Sequence, residues 1–241
     1  MHLQVIAHAH NGFSQKFGIP RQSRKDSCIE THIIFTHTYR VREALRGIED
    51  YSHLWLLWGF HEAVRLKGDE AMRRETKGKD GWSPTVRPPR LGGNKRMGVF
   101  ATRSPFRPNP IGLTSVKLLR IEDTTDNGLV LVVSGADLLD GTPIYDIKPY
   151  LPYTDCHTDA TGGFTDNLEE RKLNVNADQS LLSLIPEEKR QELLTVLSMD
   201  PRPSYHDDPE RVYGVEFAGW NIRFQVNGKV LTVISVDAAS E

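Results

Sequence analysis

Along the first two thirds of the chain, apolar and polar residues alternate in short runs. Leu3 to Ala9 (LQVIAHA) and Cys28 to Phe35 (CIETHIIF) repeat with a period of two. That spacing turns one face of a strand to a core and the other to water. Ser52 to Phe60 (SHLWLLWGF) is the most apolar run and has strand length, so it predicts a central strand of a barrel. Further strands are predicted at Arg96 to Thr102, Leu113 to Ile121, Leu129 to Ser134 and Ile144 to Lys148, with a turn at Asp126-Asn127-Gly128. Val41, Ala44, Leu45 and Ile48 fall at helical spacing and predict a helix over Arg40 to Ile48. Short strands without alternating helices imply a closed antiparallel β-barrel over residues 1–155.

Beyond it the pattern changes. Asp155 to Asn176 is polar and irregular, as a linker would be. Leu181 to Leu197 has helical periodicity, with Pro186 placed to start a helix. Val212 to Phe217, Asn221 to Val226 and Val230 to Val236 read as a meander turned at Ala218-Gly219 and Asn227-Gly228. Residues 156–241 are therefore expected to form a small α+β domain behind the barrel, in a chain that is mainly β. One run fits neither unit: the charged insertion from Val64 to Asp80, read as an exposed helix or loop.

Charge narrows the range of partners. Lys and Arg number 30 against 32 Asp and Glu, a net charge of −2. A nucleic acid would then be held by local patches, there being no global positive field. Cys28 and Cys156 are too few for a disulfide framework and lack the CxxC spacing of zinc sites, which implies ordinary thiols in a reducing compartment. No apolar run approaches about 18 residues, and the first residues show no secretory pattern. The expectation is a soluble, cytoplasmic protein with no membrane partner.

One local patch is marked. Ser83 to Leu113 (SPTVRPPRLGGNKRMGVFATRSPFRPNPIGL) carries Arg87, Arg90, Lys95, Arg96, Arg103 and Arg107, and no Asp or Glu occurs between Asp80 and Glu122. Its prolines fix φ and its glycines admit conformations closed to other residues. The stretch reads as a rigid, positive loop facing something anionic, where a flexible linker would need no such punctuation.

Other candidate chemistry lies in short motifs. There is no GxGxxG, P-loop or GxSxG, and no glycine-rich strand–helix junction of the doubly wound methyltransferases. Pro20-Arg21-Gln22 offers a rigid turn, a guanidinium and an amide, yet a plain surface turn has the same composition. His61 and Glu62 follow the most apolar strand, where a polar pair can face a pocket mouth or merely end a strand. Asp140-Gly141-Thr142-Pro143 is a turn by composition and can present carbonyls and a carboxylate. Asp137, Asp140 and Asp146 lack the glutamate that closes a calcium loop. His8 and His10 would share one side of a strand, but no third zinc ligand follows at a recognised spacing. Trp82, Phe106, Tyr150 and Tyr153 are candidate stacking surfaces for a base, or ordinary packing residues.

The Ser83–Leu113 stretch resembles the signature block of the TsaA-like, or TrmO, family, a β-barrel class of S-adenosylmethionine-dependent methyltransferases. The likeness extends to KFGIPRQ (Lys16 to Gln22), GIEDYSHLWLLWGFH (Gly47 to His61), DLLDGTPIYDIKPYLPY (Asp137 to Tyr153) and DPRPSY (Asp200 to Tyr205). The chain departs from it at His8 and His10 (HAH), where the family tends to show IRSP-like residues. The resemblance implies transfer of a methyl group from S-adenosylmethionine to N6 of threonylcarbamoyl-adenosine at position 37 of tRNA, beside the anticodon, by a homodimer. It implies cofactor-binding residues Pro20, Arg21, Gln22, His61, Glu62, Arg90, Asp140, Gly141, Thr142 and Pro143, and no metal. With it, the basic loop becomes an RNA grip through Arg87, Arg103 and Arg107. The substituted nitrogen must lose a proton, for which Asp140, His61 and Tyr150 are the candidate bases. A non-catalytic RNA- or nucleotide-binding barrel is the competing reading, and a hydrolase acting on a phosphorylated small molecule a weaker one.

Overall fold

The computed structural model describes residues 2–15, 18–19, 29–62, 83–88, 95–166, 172–202 and 208–239. The strands of the first unit are β1 (Ala7–His10), β2 (Glu30–Phe35), β3 (His53–Gly59), β6 (Ile111–Thr124), β7 (Gly128–Ser134) and β8 (Thr142–Pro149). Between β3 and β6 lies a small ribbon of β4 (Thr85–Val86) and β5 (Met97–Gly98). The large strands close in the order β1-β2-β7-β6-β3-β8, with β8 returning to β1, and every pairing is antiparallel.

Alternation places the core. Leu54, Leu56 and Trp58 of β3, Val116 of β6, Ile33 and Phe35 of β2, and Ile144 of β8 pack together inside the ring. The β6–β7 hairpin turns at Asp126-Asn127-Gly128 with φ of 63° at Gly128, a backbone state glycine adopts without strain.

The second unit has β9 (Asn174–Asn176), α2 (Gln179–Leu182), α3 (Glu187–Ser198), β10 (Tyr213–Phe217), β11 (Trp220–Asn227) and β12 (Val230–Ala238), after a one-turn helix α1 (Pro152–Asp155) that follows the barrel. Its sheet runs β10-β11-β12-β9. Leu193, Val196 and Leu197 of α3 cover one face, against Val215, Phe217, Ile222, Phe224 and Leu231. Phe13 and Ile29, which precede β2, are buried in this second core and not in the barrel.

The mainly β, antiparallel expectation is borne out, with corrections to single elements. Arg40 to Ile48 is no α-helix but part of three short 3-10 turns, His37–Tyr39, Arg42–Leu45 and Ile48–Asp50. Gly47 between the last two has φ of 82°, which an α-helix cannot accommodate, although Leu45 and Ile48 still pack on the barrel. Arg96 to Thr102 yields only the two residues of β5 and a 3-10 turn at Val99–Ala101. The expected helix over Leu181 to Leu197 is split by Pro186, whose missing N–H lets α3 begin but not α2 continue. The polar linker ends in β9, which pairs in parallel with β12. The charged insertion from Val64 to Asp80 lies outside the described residues.

Candidate active site

The barrel has two unlike ends. At one, β1, β3 and β7 finish and β2, β6 and β8 begin, so three long connections emerge together: 11–29, 60–110 and 135–141. The Asp140-Gly141-Thr142-Pro143 turn is clamped there. Gly141 has φ of 73° and donates its N–H to the Ala9 carbonyl at 2.8 Å. Thr142 Oγ1 donates to the Leu139 carbonyl at 2.6 Å. Asn11 ties the turn to the end of β1: its N–H donates to Asp140 Oδ1 at 2.9 Å and its Nδ2 to the Leu138 carbonyl at 3.0 Å. The Asp140 N–H donates to the Phe13 carbonyl at 2.9 Å.

Charge gathers around that turn. His10 Nδ1 lies 3.4 Å from Asp140 Oδ1, both side chains nearly half exposed. His8 is held below the usual imidazole range, first by burial and then by repulsion from His10 and His61; β1 ends at His10, and His61 follows the end of β3. His61 Nε2 lies 3.8 Å from Glu62 Oε1. Inside the rim, the Trp58 indole donates to Thr114 Oγ1 at 2.9 Å, and that hydroxyl donates to Asp137 Oδ1 at 2.8 Å. A Cβ at Gly112 would meet the Trp58 ring at 2.2 Å, so glycine is what lets the indole lie flat on β6. Phe60 packs on Trp58 with centroids 4.3 Å apart, which gives the rim an apolar wall.

The basic loop is rooted at the same end. Phe60 donates its N–H to the Pro110 carbonyl at 2.9 Å, and Val99, almost fully buried, to that of Pro84 at 2.9 Å. Arg87 and Arg103 are exposed. Arg107 is half-buried, and its guanidinium donates to the carbonyls of Thr102 at 2.6 Å, Val99 at 3.1 Å and Ser104 at 3.1 Å. It braces the loop from within. Phe106 is half-buried, whereas Phe100 is 76% exposed.

Residues 8–156 match the model of the tRNA-methyltransferase O N-terminal domain, and residues 170–239 that of the TrmO C-terminal domain. The chain belongs to the TrmO family. A tRNA (adenine(37)-N6)-methyltransferase of Escherichia coli strain K12 is 39% identical over 238 residues, 93% of each chain. Another of that name, from Eikenella corrodens, is 43% identical over 189 residues, covering 78% of this chain and 98% of its own. A crystal structure of TrmO from Pseudomonas aeruginosa superposes with a TM-score of 0.72 at 28% identity and covers 99% of both chains.

Within this TrmO barrel, the structure brings together some expected residues and separates others. His61, Glu62 and the Asp140–Pro143 turn share the loop-bearing end. Pro20, Arg21, Gln22, Arg90 and Trp82 lie outside the described residues. Tyr150 is at the other end of β8, where its N–H donates to the His53 carbonyl at 3.0 Å and its ring packs on Trp55 at 5.6 Å. Burial first, then the neighbouring Cys156 and Asp155, raises its phenol above the usual range. Its backbone bond to His53, where β3 begins, sets it apart from the rim that holds Asp140 and His61. Tyr153 is exposed beside it. Asp137, Asp140 and Asp146 do not converge, since Asp146 pairs with Lys148, and no group of three potential metal ligands exists among the described residues. Sequence reasoning missed Asn11 and Thr114 as organisers of the rim and His10 as the partner of Asp140. The one available signal was the Asn11-Gly12 pair, a turn dipeptide just after a strand.

Proposed function

We propose that this chain methylates N6 of threonylcarbamoyl-adenosine at position 37 of tRNA, beside the anticodon, using S-adenosylmethionine. The observation that carries the reading is that the Asp140 turn, the His61–Glu62 pair and the basic loop emerge from one end of the barrel. The names of relatives that match nearly the whole chain support it. A relative from Pseudomonas aeruginosa, 37% identical over 232 residues, is named as an S-adenosylmethionine-dependent methyltransferase.

The donor set fits a sulfonium cofactor. A half-exposed carboxylate, Asp140, faces the rim for the positive sulfur, Trp58 and Phe60 provide an apolar wall, and Arg21 matches the cofactor's carboxylate end. Pro20, Gln22, His61, Glu62, Arg90, Gly141, Thr142 and Pro143 complete the proposed set. When bound, S-adenosylmethionine supplies an electrophilic methyl group. The protein's part is to align the target nitrogen with it, an entropic contribution that needs a stiff rim. Asp140 is the preferred proton acceptor, with His10 beside it to share the charge, and His61 is the remaining candidate. Arg87 and Arg103 grip phosphates, and Arg107 holds the loop that presents them. The reading also carries a cytoplasmic homodimer; among the described residues no helix is long and apolar enough to cross a membrane.

The test is incubation of the protein with labelled S-adenosylmethionine and tRNA bearing threonylcarbamoyl-adenosine, followed by nucleoside mass spectrometry. One added methyl on that nucleoside is expected, and none on tRNA lacking the threonylcarbamoyl group. Label on another nucleoside would overturn the substrate, and no label at all would favour a binding module.

A further inference from the structure

The basic loop presents an apolar ring where a grip on phosphates needs none. Phe100 is 76% exposed, and among the described residues only Tyr153, at the other end of the barrel, is a more exposed large apolar side chain. Its neighbour Val99 is the one that the 3-10 turn buries. That turn is held firmly. The Val99 N–H donates to the Pro84 carbonyl at 2.9 Å. The Val99 carbonyl accepts from the Thr102 N–H at 3.1 Å, Thr102 Oγ1 at 2.8 Å and Arg107 Nη2 at 3.1 Å. Just before the turn, Met97 and Gly98 pair with Val86 and Thr85, and Arg96 Nε donates to Thr85 Oγ1 at 2.8 Å. The ring is thus presented by ordered backbone, and little further ordering is needed when something docks on it.

A single exposed apolar residue is ordinary on a protein surface. This one differs in its company. The exposed charged residues of the ribbon and turn, Arg87, Lys95, Arg96 and Arg103, are all basic, and no Asp or Glu occurs between Asp80 and Glu122. An aromatic face among cations matches an unpaired nucleotide, whose base can stack while its phosphate meets a guanidinium. A duplex offers phosphates alone, because its bases are already stacked. Phe106, the other phenylalanine of the loop, is half-buried, and Tyr150 and Tyr153 lie at the barrel's other end. We infer that Phe100 stacks on an unpaired base of the tRNA anticodon loop while Arg87 and Arg103 hold neighbouring phosphates. The basic loop then selects single-stranded RNA over duplex. The inference rests on the reading of tRNA as the substrate.

The experiment is fluorescence anisotropy at several salt concentrations on the full-length protein and its Phe100→Ala, Phe100→Leu, Phe100→Tyr and Arg103→Ala variants. The probes are a labelled anticodon stem-loop RNA and a fully paired RNA duplex of the same length. Phe100→Ala is expected to raise Kd for the stem-loop about tenfold, equivalent to about 1.4 kcal/mol. The slope of log affinity against log salt should stay as in the parent, since no phosphate contact is lost. Its Kd for the duplex and for S-adenosylmethionine should remain within about twofold, and its melting temperature should not move. Phe100→Tyr should restore stem-loop binding and Phe100→Leu should not, because stacking needs a π face. Arg103→Ala should weaken both RNAs and make the slope shallower by about 0.7. If the parent binds the stem-loop and Phe100→Ala binds it equally well, the inference is overturned and the tRNA reading stands. If the parent binds neither RNA, the tRNA reading falls and takes the inference with it. Equal loss of both RNAs with a lowered melting temperature would mark a structural role, and loss of S-adenosylmethionine alone would place the ring at the cofactor; either would also overturn it.

Discussion

The two hydrophobic cores are built differently. The barrel core draws on strands that close on themselves, and its buried residues come from the ring and the loops that join it. The C-terminal core takes Phe13 and Ile29 from the far end of the sequence, and its edge strand β10 touches Phe13, Ser14, Gln15 and Gly18. Closing the ring removes sheet edges altogether, whereas a four-stranded sheet must cover its own. This chain lays residues 12–15 and Gly18 against that edge. The strands of the two sheets fall on either side of residue 155, while the packing of Phe13 and Ile29 crosses that point.

The largest effect should come from Phe13→Ala. Removing a fully buried phenylalanine costs about 3–5 kcal/mol, and the loss should appear as lowered hydrogen-exchange protection in β10 to β12 with β6 and β7 spared. Ile33→Ala, fully buried in the barrel core, should show the reverse distribution at about 2–5 kcal/mol. Equal loss in both units from either variant would break the comparison, since the cores would then melt as one. A smaller effect is expected for Trp58→Phe, which removes the indole donor to Thr114. Unmaking such a buried contact costs about 1–3 kcal/mol, and denaturant unfolding should place it in the barrel.

The smallest effect depends on pH and belongs to the barrel's far end. Asp155 is held below the usual carboxylate range by the Leu151 N–H and then by the Trp55 indole, which donates at 2.8 Å. Its stabilisation is present above the unfolded carboxyl value of about 3.9. It is lost as pH falls through the lower folded value. Asp155→Asn should therefore lower the melting temperature at neutral pH and leave it nearly unchanged in strong acid, as thermal melts across that range would show.

Much of this arrangement was readable in the sequence. Period-two alternation located β2, the most apolar run located β3, strand-like runs located β6, β7 and β8, and the glycine turns located the β10–β12 meander, because these signals are local. What stayed hidden depended on distant partners. Phe13 looks like a loop residue until β10 arrives beside it, and β9 is three residues that pair only because β12 lies alongside. Arg107 reads as one more positive charge, yet three carbonyls of its own loop hold it. Tyr150 and Asp140 are ten positions apart in sequence, and a strand running between them sends them to opposite ends of the barrel. The His10–Asp140 pair was equally invisible, since it forms only when β8 closes the ring against β1.

The central claim is a cofactor site at the loop-bearing end of the barrel, and calorimetric titration of S-adenosylmethionine into the RNA-free protein tests it most directly. One molecule should bind per chain, and Arg21→Ala should weaken that binding by about 1.5–3 kcal/mol, the range for losing a hydrogen bond to a charged group. An RNA-free protein that takes up no S-adenosylmethionine yet still binds tRNA would contradict the account and leave a binding module in its place.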